Sequence, residues 1–375
     1  MAEVQLKPLP YRPDCLDWYL RLRALPWPLL LDSCREHGGR GRFDIVSAAP
    51  REVLLQRAAE PGEPWQALLA AERRLPHCAR HPDLPFVGGL LGFAGYDLGR
   101  RQHGLAPPAT DTPLPDLYAG LYDWAVINDH HLRRSLLVAL PDKPRAEIAA
   151  LLEHLLDESD PSSGSTLGPP VLTTPFASNL DPAGYKQRFD RVQRYIQAGD
   201  CYQVNLARRF QAGFHGDPLA AYQRLRRVAG APYSAYAEGP DWALLSLSPE
   251  RFLHCVDGAV QTEPIKGTMP RAADPGQDRE NARQLLASDK DRAENLMIVD
   301  LLRNDLGQCC VPGSIRVERL FELQSFNTVH HLVSSISGRL RPEHSPLGLL
   351  GACFPGGSIT GAPKRRAMQI IDELE

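Results

Sequence analysis

The sequence predicts a mixed α/β chain in two parts, and three observations carry that prediction. Short apolar runs of strand length, such as residues 124–128 (WAVIN) and 135–140 (SLLVAL), alternate with turn-rich stretches. Helical spacing stands among them at 146–156 and again after Asp181, where Tyr185, Phe189, Val192 and Ile196 fall on one face. Between these segments periodicity vanishes: 157–180 crowds Ser, Gly, Pro, Thr and Asp (ESDPSSGSTLGPP) and reads as a linker. The expected organisation is an N-terminal domain over 1–156, a linker over 157–180 and a second domain over 181–375. A length of 375 residues suits two such domains, at roughly 150 residues each. No fixed-period repeat points to a solenoid.

In the second part, Asp181-Pro182 has the chemistry of a helix start, because an Asp side chain can accept from a free N–H of the first turn and Pro brings no N–H to leave unpaired. That helix is expected to end near Gly199. Strand-like runs follow at 202–210, 242–247 and 252–256, and Asp257-Gly258 after the last offers a hairpin turn.

Charge and composition remove several function classes. Against 45 acidic residues, 42 basic ones leave a net charge of −3 and no cationic surplus for a polyanion, so nucleic acid is not the expected partner. No run approaches the roughly 18 apolar residues of a membrane span, and Met1-Ala2-Glu3 does not open a basic leader, so no membrane partner and a cytoplasmic location are expected. The eight cysteines form no CxxC pair and no cluster with histidine. They are expected as free thiols, each a small buried hydrophobe.

Four motifs carry candidate chemistry. In 262–268 (TEPIKGT), Lys266 stands between an apolar residue and a turn-forming glycine. A lysine there is ordinarily a solvated charge, but partial burial would disfavour its ammonium form and expose a nucleophilic amine. In 294–305 (ENLMIVDLLRND), apolar positions point all round a helix, which predicts burial. Glu294 on it suits a hard cation such as Mg2+, while the plainer reading makes an ion pair of Asp300 with Arg303. The run 354–364 (FPGGSITGAPK) leads into an amphipathic helix with Ala367, Ile370, Ile371 and Leu374 on one side, and Pro363 suits its first position. Glycines before a helix can turn backbone N–H groups toward a carboxylate or phosphate, and a plain turn is the alternative. Neither this run nor Gly92-Phe93-Ala94-Gly95 has the spacing or context of a nucleotide-binding loop. In 327–334 (NTVHHLVS), strand alternation would send one of His330 and His331 inward, and no HxxxH or HExxH pattern supports zinc.

Taken in order, AGDCYQVN, SLSPERF, EPIKGTMPR, ENLMIVDLLRNDLG, NTVHHLVSSISG and PGGSITGAPK resemble the chorismate-utilising family. Its members include anthranilate synthase, isochorismate synthase, salicylate synthase and aminodeoxychorismate synthase component I. The N-terminal part extends the resemblance through PWPLLLDS, RFDIVSA and PFVGGLLGFAGYDLGRR. It implies a layered sandwich of antiparallel sheets flanked by helices, with an N-terminal domain of the anthranilate-synthase component I type. Two positions narrow the reaction it implies. The water-using relatives carry a lysine where Gln203 stands, and anthranilate synthases read PIAGT where this chain has Lys266. The resemblance therefore implies amination of chorismate to 4-amino-4-deoxychorismate, on the way to 4-aminobenzoate and folate.

Implied roles follow residue by residue. Lys266 is the nucleophile at ring carbon 2, Glu250 the acid for the departing 4-hydroxyl, and His331 the histidine near the ring. Thr268, Gln203, Gly357, Ser358, Thr360, Gly361 and Ala362 would contact substrate, and Glu294 would ligate Mg2+. Leu31, Asp32 and Ser33, with Leu30 before them, match a segment that can hold a tryptophan in relatives. Ammonia is expected from a separate glutamine amidotransferase subunit, since no amidotransferase cysteine motif is present. The resemblance also implies a further region beyond Glu375 that supplies an arginine, a tyrosine and a second acidic Mg2+ ligand. A chain ending there is expected to be incomplete, with the apolar face of 367–374 exposed and prone to association. Anthranilate synthase component I, or a fragment acting only in binding, are the alternatives.

Overall fold

The computed structural model describes residues 3–35, 41–57, 59–76, 78, 81–107, 112, 114–157 and 168–375. The chain forms two compact units, one from Met1–Leu98, Pro107–Pro170 and His215–Pro249, the other from Gly99–Ala106, Val171–Phe214 and Glu250–Glu375. These units interleave along the chain. The sequence-based division at 157–180 differs from them because 215–249, expected in the second domain, completes the first unit's sheet. Within the expected linker, Val171–Leu172 and Ala177–Ser178 are short strands, and 158–167 lie outside the described residues.

The first unit is built on a seven-stranded antiparallel sheet in the order Gln5–Leu9, Arg134–Ala139, Trp124–Asp129, Phe43–Ser47, Leu29–Asp32, Tyr233–Glu238, Ala243–Ser248. The runs at 124–128 and 135–140 form strands as expected, and their continuous apolar character has a structural cause: both faces are covered. Trp124, Val126 and Leu137 point into a core with Trp18, Tyr19, Leu22, Ile148 and Tyr222, supplied by helices Leu16–Leu22, Arg145–Leu156 and Pro218–Ala229. Ala125, Ile127 and Val138 point the other way, into a second cluster with Leu84. A three-stranded sheet, Glu52–Gln56, Leu117–Tyr122 and Gly89–Ala94, packs Leu91, Tyr118 and Tyr122 against Leu29, Leu31 and Ile45. This is the layered sandwich that the resemblance implied.

The second unit has a five-stranded antiparallel sheet whose central strand, Val329–Arg339, pairs on one edge with Ala259–Glu263 and Ile265–Pro270 and on the other with Arg316–Ser325. Arg251–Val256 adds beyond Ala259–Glu263 through the expected hairpin, where Asp257 and Gly258 both take positive φ, 49° and 75°. Helix Asp289–Gly307 covers the sheet with Ile298, Val299, Leu302 and Leu306, while Leu296, Asp300 and Arg303 face solvent. One face is buried, then, in place of the all-round burial expected. The Asp300–Arg303 ion pair of the plainer reading is present, at 2.9 Å.

Helix Pro182–Gln197 starts as predicted, with Asp181 Oδ1 accepting from Gly184 N at 2.7 Å. Of its expected apolar face Val192 is buried, whereas Phe189 is exposed. Val192 packs with Ile370 and Leu374 of helix Lys364–Leu374. That contact corrects a second expectation: Ala367, Ile370, Ile371 and Leu374 are buried, so the face expected to promote association is already covered. Pro363 precedes this helix as its N-cap instead of occupying its first turn. The run 202–210 is not one strand; only Gln203–Val204 and Phe210–Gln211 pair, with different partners. Cys15, Cys34, Cys201, Cys309, Cys310 and Cys353 are buried and all eight cysteines are free, as expected. Among the described residues no helix is long and apolar enough to cross a membrane.

Candidate functional site

Lys266 lies inside strand Ile265–Pro270, where the pairing with Val329–Arg339 slips between Ile265 and Thr268. Such an irregularity re-aims side chains out of strict alternation. Gly267 takes φ +89°, and a Cβ there would stand 3.0 Å from Leu285 and Asp291 atoms, so the bend needs glycine. The consequence is a half-buried Lys266 whose Nζ donates to the backbone oxygen of Ser358 at 3.1 Å. Ser358 Oγ in turn donates to Glu250 Oε1 at 2.7 Å. One residue thus joins the expected nucleophile and the expected acid.

Burial pushes the Glu250 carboxyl above its ordinary value, opposed by the Ser358 hydroxyl, the Lys266 charge and the Ile265 N–H. A raised carboxyl keeps its proton to higher pH than an ordinary one, which is what an acid catalyst near neutrality requires.

After the slip, Thr268 stands opposite His331, with Thr268 Oγ1 3.0 Å from His331 Nδ1. Burial lowers the His331 pKa, opposed by a hydrogen bond with the Gly267 backbone. The sequence expected one inward histidine, but both are buried because the central strand is covered on both faces. His330 Nδ1 is 2.7 Å from Ser325 Oγ and its Nε2 is 3.1 Å from Asp278 Oδ1, so its ring is committed elsewhere.

Helix Asp289–Gly307 presents Glu294, which accepts from Gln203 Nε2 at 2.8 Å. Asn295 beside it fixes the helix to the sheet, donating to Leu332 O at 3.1 Å and accepting from Ser334 Oγ. Gln203 Oε1 is buried and has no hydrogen-bond partner among the described residues. Glu294 and Gln203 offer oxygen atoms of the kind Mg2+ prefers, and that ion commonly takes one or two carboxylates together with water and substrate oxygens. Among the described residues the grouping of three metal-ligating side chains lies in the other unit, at Cys15, Asp32 and Asp44. There Arg226 Nε lies 2.8 Å from Asp32 Oδ2, its Nη2 donates to Asp32 Oδ1 at 3.2 Å, and His130 Nε2 is 2.5 Å from Asp44. The Arg226 guanidinium thus already neutralises Asp32, and Asp44 is hydrogen-bonded to the His130 ring.

The run 354–364 closes over Gln203 as a paired segment, Gly361 opposite Val204 and Ala362 opposite Gln203. Gly357 to Ile359 makes a 3-10 turn, and the Ile359 and Thr360 N–H groups donate to Gly356 O and Gly357 O. Thr360 is fully buried and its hydroxyl is satisfied by Gly356 O at 3.1 Å. In this structure the Thr360 N–H is engaged within the turn, where the residue closes the loop. Gly361 takes φ +145°, and a Cβ would stand 2.1 Å from Gln203 O. Gly361→Ala should therefore part this segment from Gln203 and lower kcat/KM at least about tenfold, a loss of some 1.4 kcal/mol in transition-state binding. Steady-state kinetics beside a melting curve would show it.

Leu31, Asp32 and Ser33 belong to the first unit. Asp32 is buried and accepts from Cys34 N and Tyr222 Oη, and Ser33 bonds Asp44 through both N and Oγ. Sequence reasoning missed two further features. Lys364 and Asp305 form a buried pair at 2.7 Å, and Ser358 bridges Glu250 and Lys266. Both charges stood in quoted motifs, but nothing in the spacing pairs residues so far apart.

The family described as chorismate binding enzyme matches residues 29–375. The chain is 45% identical over 388 aligned positions to the aminodeoxychorismate synthase component 1 of Klebsiella aerogenes, covering 98% of this chain and 83% of that protein. It is 47% identical to the protein of that name from Salmonella typhimurium, covering 98% and 82%. Among solved structures it is similar to anthranilate synthase component I from Streptococcus pneumoniae TIGR4, with a TM-score of 0.77, 28% identity and coverage of 90% of this chain and 78% of that one. With the fold, the ordered motifs and a match running over most of its length, the chain belongs to the chorismate binding enzymes.

Proposed function

We propose that the protein is the synthase component that converts chorismate and ammonia to 4-amino-4-deoxychorismate. The observation that carries this reading is the linked set of Lys266, Ser358 and Glu250, which places an amine and a raised carboxylic acid in one site. The relatives named for this activity support it. Lys266, once its resting ammonium has lost a proton to solvent, attacks ring carbon 2 as the free amine; the double bond shifts, and the carbon 4–oxygen bond breaks. Glu250 gives its proton to the departing hydroxyl, which leaves as water. Ammonia then adds at carbon 4, the double bond shifts back, and the carbon 2–nitrogen bond breaks to return the lysine amine. His331 and Thr268 form one wall beside Lys266, and Gln203, Gly357, Gly361 and Ala362 bound the substrate from the loop side. Mg2+, held by Glu294, would polarise a substrate carboxylate as a Lewis acid. The name component 1 borne by the relatives supports a second subunit, a glutaminase, as the source of ammonia.

The test is an assay of the purified chain with chorismate, Mg2+ and ammonium salt. Aminated product without anthranilate or pyruvate is expected; anthranilate with pyruvate would assign the other synthase, and glutamine used by the chain alone would remove the glutaminase partner. Glu250→Gln should lower kcat by roughly 10²- to 10⁴-fold, the range for a positioned general acid. Because Glu250 must be protonated to act, wild-type activity is present below its pKa and is lost as pH rises through it. A Glu250→Gln variant that kept the wild-type alkaline limb would assign that limb to another group.

A further inference from the structure

We infer that Ser358 is a positioning residue, holding the acid Glu250 and the amine Lys266 in one hydrogen-bonded unit, and is not a donor to the substrate. The inference rests on the proposed amination of chorismate. A hydroxyl has a single hydrogen, and that of Ser358 goes to Glu250 Oε1 at 2.7 Å. Its backbone oxygen accepts a hydrogen bond from Lys266 Nζ at 3.1 Å, so the rotation of the amine is set by the same residue. The turn beneath it is fixed. A Cβ on Gly357 would lie 2.7 Å from Leu301 Cδ2, and Thr360 Oγ1 donates back to Gly356 O. Ser358 therefore sits on a packed turn, where it sets the spacing between Lys266 in strand Ile265–Pro270 and Glu250 in the connection just before strand Arg251–Val256.

The electrostatics agree with this geometry. Lys266 acts on Glu250 through its charge, and Ile265 N–H and Ser358 Oγ are neutral donors to it. Arg251, next in sequence, is committed to Glu263 at 2.8 Å. Each of these three groups favours the charged carboxylate, Lys266 by its charge and the other two by hydrogen bonds, and so opposes the effect of burial. Removing the Ser358 hydroxyl takes away one of them, and Glu250 then holds its proton to higher pH.

The experiment compares wild type, Ser358→Ala and Ser358→Thr for kcat and KM across pH, together with the infrared carboxyl band that disappears in Glu250→Gln. In Ser358→Ala we expect kcat to fall about 10- to 100-fold, as for loss of a hydrogen bond to a charged group. KM should stay within about threefold, and both the alkaline limb and the infrared band should move to higher pH. Ser358→Thr should restore all three. A higher KM with limb and band unmoved would make Ser358 a substrate contact and overturn the inference. Because the band is read without substrate, its failure to move defeats the Ser358 link whatever the activity. A moving band in a wild-type protein that makes no aminated product would instead defeat the proposed reaction.

Discussion

Lys266→Ala should reduce formation of aminated product by at least about 10³-fold, the scale of losing a covalent nucleophile whose neighbours remain in place. Lys266→Arg should fare no better, because a guanidinium stays protonated and cannot attack carbon. The geometry makes this more than a charge effect: Lys266 leaves the strand at a slip in register, and its nitrogen is fixed on Ser358 O beside the acid. Intact-mass spectrometry of protein quenched with chorismate and Mg2+ should find the adduct on Lys266 in wild type and nowhere in Lys266→Ala. Amination at full speed in the alanine variant would end the covalent scheme. Both variants should melt near wild type, since Lys266 is half-buried and its hydrogen-bond partner is a backbone oxygen that water can satisfy.

Parts of this arrangement were legible in the sequence, and for identifiable reasons. The runs at 124–128 and 135–140 announce strands because both of their faces are buried, and Asp181-Pro182 announces a helix because capping is local chemistry. Asp257-Gly258 is likewise a local turn. Longer-range facts were not legible. Leu29–Asp32 pairs with Tyr233–Glu238 about two hundred positions on, so no window of sequence reveals that 215–249 completes the first unit. The apolar side of 367–374 was visible, but its cover, Val192 on a distant helix, was not. Strand alternation failed for His330 and His331 because a central strand with two covered faces buries both. At the site, motif order indicated which residues to expect, whereas the Ser358 bridge and the Glu294–Gln203 contact depend on how the loop closes.

The same loop is anchored by a buried ion pair, and breaking it from one side should be the most destabilising single change proposed. Lys364 Nζ donates to Asp305 Oδ2 and to Cys353 O, each at 2.7 Å, tying the start of its helix to helix Asp289–Gly307 and to the end of Pro346–Cys353. Lys364→Met leaves Asp305 buried without its partner, which costs about 3–5 kcal/mol. In a unit of this size that is a fall in Tm of roughly 10 °C. Lys364→Met combined with Asp305→Val should recover part of the loss, since no charge is then stranded and the remaining cost is the unpaired Cys353 oxygen. The pH dependence separates charge from packing. Burial pushes the Asp305 carboxyl from 3.8 up to about 6, with Lys364 opposing. A group raised on folding contributes stability that is present below its unfolded value, near 4, and lost as pH rises through its folded one, near 6. Without Lys364 the carboxyl rises further, and the loss extends to higher pH. The gap in Tm between wild type and Lys364→Met should therefore be widest near pH 8 and narrow steadily toward pH 5 as Asp305 takes up its proton. A gap independent of pH would assign the lysine's contribution to its packed stem, and the loop's anchor would then be apolar.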